Sequence, residues 1–334
     1  GFMKDPKSSE AGLKYLLLGA VASWVLHYGM AMVFGLTGTT HLGDIATAVS
    51  SGALGSPALL MGIVLLVAGF GFKIACVPFQ MWVPDVYEGA PTPITAYLSV
   101  ASKAAGFAVI LRVFYTAFGP VSLDWGMIFA VLGAITMTLG NVVAIPQTNI
   151  KRMLGYSSIA QAGYLMMGLA AVSSLGQSGL LFFLVSYAFT NLGAFIAIIA
   201  ISNKVDSDMI ADYRGMARRA PLLSLALALC LISLTGIPPT AGFMAKVYIF
   251  NAAMQYGLLW LVVIAVINTV ISAYYYLRVV KVMFLEAPAS QERVPSSGAL
   301  RFALCIACIG VLVVGVIPSY FLRIAEVVVR AFGS

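Results

Sequence analysis

The chain of 334 residues is 61% hydrophobic and only 9% charged, whereas soluble domains are about 25% charged and about 45–50% apolar. So few polar side chains cannot cover a water-facing surface, which excludes a cytosolic enzyme, a nucleic-acid-binding protein and a secreted disulfide-rich domain. The 19 basic and 12 acidic residues give a net charge of +7, which basic loops on the cytoplasmic side of a membrane explain. Composition therefore predicts a membrane protein.

Apolar stretches long enough to cross a bilayer, about 20 residues each, recur along the whole chain. In chain order, the candidate spans cover residues 13–35, 57–80, 94–118, 126–147, 153–173, 179–202, 221–251, 258–280 and 302–322. The connecting segments are short and rich in Gly, Ser, Pro and Asn. We therefore predict an all-α fold, a polytopic membrane helix bundle of about nine transmembrane helices that forms a single domain over residues 1–334.

The first residues, GFMKDPKSSEAG, are polar, lack an initiator Met and lead directly into an apolar run. They do not have the form of a signal peptide. We interpret the sequence as N-terminally truncated.

The distribution of Lys and Arg predicts the orientation, because cytoplasmic loops are enriched in basic residues. With a cytoplasmic N-terminus, thirteen basic residues lie on the cytoplasmic side: Lys4, Lys7, Lys14, Lys151, Arg152, Lys204, Arg214, Arg218, Arg219, Arg278, Lys281, Arg293 and Arg301. The opposite side receives only Arg323 and Arg330. An odd number of spans then places the C-terminus on the non-cytoplasmic side.

Two of the spans look interrupted by prolines. Span 57–80 includes Pro78, and span 221–251 includes Pro238 and Pro239 in the segment GIPPT. Proline removes a backbone donor and clashes with the preceding turn, so we expect both helices to break there. Interrupted segments at matching places in two halves favour a transporter built from internal repeats. Two unrelated proline kinks are the alternative.

Three lysines lie within apolar spans: Lys73, Lys103 and Lys246. A charged side chain at bilayer depth costs about 2.5–3.5 kcal/mol on insertion scales, so a functional reason is expected. The pKa of a lysine shifts readily when it is buried, whereas that of an arginine does not, so these lysines predict a proton relay. The alternative is that each lysine snorkels or forms a salt bridge; snorkelling is our interpretation of Arg112.

The acidic residues sharpen this prediction. All twelve Asp and Glu lie in connectors or at span ends, so a carboxylate partner for the lysines inside the membrane must come from an upstream helix or another subunit. No cofactor or metal site is apparent in the sequence, because it has no Gly-rich nucleotide loop, no cysteine pattern typical of iron–sulfur clusters or zinc, and only two histidines. Electron transfer is therefore not expected in this chain.

Four motifs together resemble a known family. GFKIACVPFQMWVPDVYEGAPTP at 71–93, ASKAAGF at 101–107, KRMLGYSSIAQAGY at 151–164 and GIPPTAGFMAKVYIF at 236–250 are similar to the antiporter-like membrane subunits of respiratory complex I, the proton-pumping NADH:quinone oxidoreductase. The motifs occur in the family's order and span most of the chain. We therefore identify the chain as a member of that group.

The resemblance implies a specific architecture. Members have fourteen helices with two inverted five-helix repeats, each containing one discontinuous helix, and this chain corresponds to helices six to fourteen. Residues 13–118 would then be the remainder of the first repeat, 126–280 the second repeat and 302–322 the C-terminal helix. The fifth helix, which carries the glutamate paired with the first lysine in the family, would lie upstream.

The resemblance also implies roles for individual residues. Lys73 would be the central lysine of the first half-channel, Lys103 would pass protons along the axis, and Lys246 would be the terminal lysine. Lys14 matches another family lysine, and a role in the pathway and a role as a cytoplasmic anchor are equally open. We interpret the small and polar residues of GYSSIAQAGY as packing or water-lining groups, namely Ser157, Ser158 and Gln161. The tyrosines at 274–276 are interpreted as aromatic packing.

The function that follows is proton translocation, coupled to NADH oxidation and quinone reduction in other subunits. NADH, quinone, flavin and iron–sulfur clusters are expected in those subunits, and no cofactor in this chain. The expected partners are other membrane subunits, including neighbouring antiporter-like subunits, and the lipid of the inner (plasma) membrane. Two alternatives remain: a subunit of a multisubunit cation/proton antiporter, and a purely structural membrane subunit.

Overall fold

The computed structural model describes residues 5–51, 57–288, 290 and 292–332, and within them nearly all regular structure is helical. The α-helices, in chain order, are α1 (Pro6–Thr37), α2 (Leu42–Ser50), α3 (Pro57–Ile74), α4 (Trp82–Gly89), α5 (Thr92–Tyr97), α6 (Lys103–Ala117), α7 (Ser122–Ala144), α8 (Ile150–Ala170), α9 (Ser174–Val205), α10 (Met216–Arg219), α11 (Pro221–Thr235), α12 (Ala241–Gln255), α13 (Leu259–Leu285), α14 (Gly298–Val316) and α15 (Pro318–Phe332). The predicted all-α fold class is confirmed.

Seven helical segments of the described residues are long and apolar enough to cross a bilayer: α1, α3, the continuous segment 92–117, α7, α9, α13 and α14. They coincide with seven of the predicted spans. The predicted span 153–173 corresponds to α8, and the span 221–251 is divided into α11 and α12. A total of nine transmembrane helices and an inverted repeat stay predictions.

The first interruption separates α3 from α4, in the region of Pro78. After α3 the chain passes through Ala75, which has a left-handed φ of 64°, and through a cis peptide between Val77 and Pro78. The backbone N–H of Val77 donates a hydrogen bond of 3.0 Å to Oγ1 of Thr136 on α7. This bond satisfies one of the backbone groups that the break leaves without a helical partner.

The second interruption separates α11 from α12. Gly236 follows α11 with a φ of +89°, and a cis peptide joins Pro238 to Pro239. The N–H of Gly242, in the first turn of α12, donates to Oγ of Ser233 in the last turn of α11 at 3.1 Å. The two half-helices therefore stay connected across the break.

The basic connectors meet at one end of the bundle. Ion pairs join Lys151 to Asp208 at 2.9 Å, Lys204 to Glu292 at 2.8 Å and Arg214 to Glu286 at 2.9 Å. Backbone hydrogen bonds connect the same segments, from Ile150 to Asp208 and from Val294 to Arg219. These connectors therefore lie together at one end of the bundle, and the side of the membrane that this end faces stays a prediction.

Helix α8 lies at the centre of the bundle. Nearly every residue of α8 is buried, which is why it can carry polar side chains that a lipid-facing helix could not. Helix α7 packs closely on it, since a Cβ atom at Gly163 would lie only 2.5 Å from the backbone nitrogen of Met137. The most central helix is thus also one of the most polar.

Two peripheral helices differ from the core. Only 11% of the most apolar 18-residue stretch of α1 is buried within the described structure.

At the other end of the chain, the predicted helix 302–322 is wrong in its boundaries, because α14 ends at Val316 and Pro318 begins the separate helix α15. Proline fits the first turn of a helix but not its interior, which explains the division.

Candidate functional site

Lys103 is buried in the middle of the bundle. It begins α6 directly after a π-helical turn, Leu98–Ser102, and only 2% of its surface is exposed. Its Nζ donates to the Oγ of Ser158 on α8 at 2.6 Å and also to the carbonyl oxygen of Ser158. No carboxylate pairs with Lys103 among the residues that the structure describes.

Ser158 is surrounded by hydroxyl groups. Its Oγ lies 3.2 Å from the hydroxyl oxygen of Tyr87 and accepts a bond of 3.0 Å from the hydroxyl of Tyr187. The Nζ of Lys103 also lies 5.5 Å from the centre of the Tyr187 ring, within the range of a cation–π contact. The ammonium group is therefore stabilised by neutral hydroxyl, carbonyl and aromatic groups.

Lys246 occupies a similar environment on α12, with 4% of its surface exposed. Its Nζ donates to the carbonyl oxygen of Thr235 at 2.8 Å and to Oγ1 of Thr269 at 3.4 Å, and lies 4.6 Å from the ring centre of Tyr164. Thr235 is the last residue of α11, so its carbonyl has no partner within that helix. Lys246 thus binds the negative end of the preceding half-helix.

Polar residues of α8 extend from the Lys103 site toward the Lys246 site. Oγ of Ser157, the neighbour of Ser158, lies 2.5 Å from the hydroxyl oxygen of Tyr276. Nε2 of Gln161 donates to that hydroxyl at 3.4 Å and to the carbonyl of Leu234 at 3.2 Å. Ser157, Gln161 and Tyr276 therefore connect the centre of the bundle to the end of α11.

A second set of hydrogen bonds continues from Lys246. Oγ1 of Thr269 donates to the hydroxyl of Tyr164 at 3.3 Å. Nδ2 of Asn141 donates to the same hydroxyl at 3.4 Å, and Oδ1 of Asn141 accepts a bond of 2.9 Å from Tyr275. These side chains, all buried or partly buried, form a continuous polar path through the second half of the chain.

A small cavity of about 10 Å³ lies between the two lysine sites. Tyr187 of the Lys103 site and Lys246 both line it, together with Gln161 and Ser233. This volume is at the lower limit for one water molecule. A single water molecule there would have several polar partners.

Lys73 differs from the other two lysines. Lys73 is exposed and makes no hydrogen bond or ion pair with the described residues, and its place in the relay stays a prediction. It lines a groove of about 830 Å³ between α1, α3 and α6. Its Cγ nevertheless packs near Gly106, where an added Cβ atom would lie 3.4 Å away. Lys73 therefore lies beside α6, one turn from Lys103 along that helix.

Lys14 lies among carboxylates at the end of the bundle where the basic connectors meet. Its Nζ is 2.5 Å from an oxygen of Glu10 and 2.6 Å from an oxygen of Asp85. Arg152 also pairs with Asp85, at 2.7 Å. Burial alone would raise the pKa of the Asp85 carboxyl, but the bonds from Lys14 and Arg152 outweigh it and hold the pKa below its ordinary value. Of the two open interpretations of Lys14, these contacts favour the anchor.

The local sequence does not indicate most of the residues that contact the buried lysines or the partners of those lysines. These residues lie far from the lysines along the chain: Tyr87, Tyr164, Tyr187, Asn141 and Thr269. One signal was available: Ser157, Gln161 and Tyr164 are spaced as i, i+4 and i+7 and share one face of α8. The interpretation of 274–276 as packing is incomplete, since Tyr275 and Tyr276 are buried and hydrogen-bonded while Tyr274 is exposed.

Comparisons with known proteins show the family to which the chain belongs. The family described as "NADH:quinone oxidoreductase/Mrp antiporter, TM" matches residues 1–272. NADH-quinone oxidoreductase subunit N of Dehalococcoides mccartyi is 52% identical over 339 residues, which cover 98% of this chain and 70% of the relative.

Solved structures show the same fold. A chain of respiratory complex I from Thermus thermophilus with bound Aureothin aligns with a TM-score of 0.82 and 34% identity, over 96% of this chain and 70% of that chain. A chain of the Mrp complex from Dietzia sp. aligns with a TM-score of 0.87 at 20% identity, over 97% of this chain and 68% of that chain, which shows the fold alone. The chain belongs to the NADH:quinone oxidoreductase/Mrp antiporter transmembrane family, within which it is a homologue of NADH-quinone oxidoreductase subunit N.

Proposed function

We propose that the chain is a proton-translocating membrane subunit of an NADH:quinone oxidoreductase and that Lys73, Lys103 and Lys246 are its relay residues. The observation that carries the proposal is the environment of Lys103 and Lys246. Both are buried, both are bound only by neutral oxygen and aromatic groups among the described residues, and hydroxyl and amide side chains fill the space between them. A group held in this way can gain and lose a proton without breaking an ion pair.

The proposed order of transfer follows the chain of contacts. Lys73 packs near Gly106 of α6, whose first residue is Lys103. Lys103 binds Ser158, and Tyr187 connects that serine to the cavity that Lys246 lines. Like charges repel more strongly where the surroundings are less polarisable than water. A proton gained by one lysine therefore favours release from the next.

The redox chemistry belongs to other subunits in this proposal. NADH, quinone, flavin and iron–sulfur clusters would be bound there, and this chain would contribute only the proton path. Its partners would be the other membrane subunits, including neighbouring antiporter-like subunits. The chain would lie in the inner membrane with its C-terminus on the non-cytoplasmic side, because the basic connectors mark the cytoplasmic end.

The repeat organisation is part of the same proposal. Residues 13–118 would be the remainder of one antiporter-like repeat and 126–280 a second repeat, followed by the C-terminal segment. The two interruptions, one in each segment, support this division, since both have a left-handed residue between two half-helices.

The test is substitution of Lys246 by Met in the subunit within its assembled complex, reconstituted in proteoliposomes. NADH oxidation and acidification of the lumen are measured together. We expect the number of protons pumped per NADH to fall by about tenfold or more, because methionine cannot accept a proton. Lys281→Met is the matched control, since Lys281 is exposed on α13.

Unchanged pumping in Lys246→Met would contradict the relay. Sodium transport that is independent of NADH and is lost in the same variant would favour the cation/proton antiporter. Normal pumping after substitution of all three lysines would leave only a structural role.

A further inference from the structure

Helix α4 is short, eight residues long, and carries contacts to both lysine sites of the first half of the chain. Nε1 of Trp82 donates to the carbonyl of Phe72 at 3.1 Å, and Phe72 directly precedes Lys73. The hydroxyl of Tyr87 lies 3.2 Å from Oγ of Ser158, the partner of Lys103. Trp82 and Tyr87 are 3% and 1% exposed. The position of α4 therefore affects the surroundings of Lys73 and Lys103 together.

Helix α4 also carries two partly exposed carboxylates. Asp85 pairs with Lys14 of α1 at 2.6 Å and with Arg152 of α8 at 2.7 Å. Glu88 pairs with Arg152 at 3.1 Å and with Lys7 of α1 at 3.1 Å. Isolated surface ion pairs contribute little, but these four share members in one network that joins three helices. The network connects α4 to both of its neighbours.

Close backbone packing adds to these ion pairs. A Cβ atom at Gly89, the last residue of α4, would lie 2.5 Å from the carbonyl oxygen of Lys7. Helices α1 and α4 therefore already touch at this point. A displacement of α4 would therefore break this backbone contact, the ion pairs, or the hydrogen bonds of Trp82 to Phe72 and of Tyr87 to Ser158.

We propose that Asp85 is a positioning residue of the relay, whose ion pairs to Lys14 and Arg152 keep Trp82 against the end of α3 and Tyr87 against Ser158. Asp85 is the member of the network that binds cations from both α1 and α8 at less than 3 Å. Its carboxylate stays ionised at neutral pH, because those two cations hold its pKa below the ordinary value despite burial. The inference rests on the proposed relay function of Lys73 and Lys103.

The experiment compares Asp85→Asn with Asp85→Glu and Glu10→Gln in the assembled complex. Protons pumped per NADH are measured in proteoliposomes. We expect Asp85→Asn to lower this ratio by about threefold or more, because the amide keeps the shape but loses both charge-assisted bonds. Asp85→Glu should restore most of the ratio. Glu10→Gln is the control, because Glu10 pairs with Lys14 only within α1 and should leave the ratio unchanged.

A second measurement reports the position of α4 directly. Spin labels are attached through ketone-bearing amino acids at Ser9 on α1 and Met81 before α4, which are both exposed. Pulsed electron paramagnetic resonance should show a longer or broader distance distribution in Asp85→Asn, and the wild-type distribution in Glu10→Gln and Asp85→Glu.

An unchanged distance distribution in Asp85→Asn would overturn the positioning role, whatever happens to pumping. A changed distribution with normal pumping would overturn the connection between α4 and the relay. Failure of the relay itself is recognised separately, because Lys246→Met would then pump normally while the distance in Asp85→Asn still changed.

Discussion

The two helix interruptions have similar backbones but place their lysines differently. Lys73 lies in the last turn of α3, before the first break, and is exposed with no polar partner among the described residues. Lys246 lies in the second turn of α12, after the second break, and is buried against the carbonyl of Thr235. At the first break the carbonyl of Phe72, in the last turn of α3, is bound by two neutral donors, the indole of Trp82 and the backbone N–H of Ala75.

The direction of side chains in helices explains the difference. A Cα–Cβ bond leans toward the N-terminus of its helix. Lys246 therefore leans back toward the break, where the C-terminal carbonyls of α11 attract an ammonium group. Lys73 leans away from its break and toward the groove beside α1. A lysine that follows a break is fixed by it, and one that precedes a break stays free to find another partner.

The largest expected effect comes from the left-handed residue of the second break. In Gly236→Ala the alanine would have to adopt the backbone φ of +89°, which is unfavourable for a residue with a side chain. Its Cβ would also lie 3.0 Å from Cδ of Lys246. We expect the free energy of unfolding in detergent micelles to fall by about 2–4 kcal/mol, measured by denaturant titration.

Gly257→Ala is the matched control for that substitution. Gly257 also has a positive φ, of +85°, but nothing lies within 4 Å of the position that its new Cβ would take, so only about 1–2 kcal/mol should be lost. Equal losses at the two glycines would show that the contact with Lys246 contributes nothing.

An intermediate effect is expected at the first break. Trp82→Phe keeps an aromatic ring but removes the indole bond to the carbonyl of Phe72, which then accepts only from the backbone N–H of Ala75. The loss of this one bond should cost about 0.5–1.5 kcal/mol of unfolding free energy in the same titration. Trp260→Phe, at an exposed position of α13, should change it by less than about 0.5 kcal/mol. If the two tryptophans behaved alike, the indole would not stabilise the end of α3.

The smallest effect is expected for Ala75→Gly. Glycine relieves the left-handed φ of 64° but loses a buried methyl group, and the two contributions should nearly cancel, to within about 1 kcal/mol. Ala134→Gly inside α7, where φ is helical, should instead destabilise by about 1–2 kcal/mol in thermal or denaturant unfolding. A loss at Ala75 as large as at Ala134 would mean that the turn is not strained.

The sequence predicts the positions of the helices and of their interruptions better than it predicts the contacts between side chains. Hydropathy locates the spans because a bilayer demands apolar length, and proline locates the interruptions because it cannot continue a helix. The burial of Lys103 and Lys246 follows from the same reasoning. The exposure of Lys73 does not, since hydropathy does not say which face of a helix its neighbours cover.

The partners of the lysines could not be predicted from local pattern. Ser158 lies 55 residues from Lys103 along the chain, and Thr235 meets Lys246 only because the break folds one half-helix onto the other. Tyr187 appears in the sequence as one more aromatic residue of an apolar run. Only the packing of α6, α8 and α9 shows that it lies over an ammonium group.

The π-helical turn at Leu98–Ser102 has a consequence for the direction of Lys103. Successive residues of an α-helix are rotated by about 100° around its axis, and a π-helical turn inserts one residue more than an α-helix would. The turn therefore acts as a phase shift between α5 and α6. The extra residue rotates Lys103 about the helix axis relative to the residues before the turn, so that its side chain points at Ser158. The direction of the buried ammonium group therefore depends on this extra residue as well as on the choice of lysine.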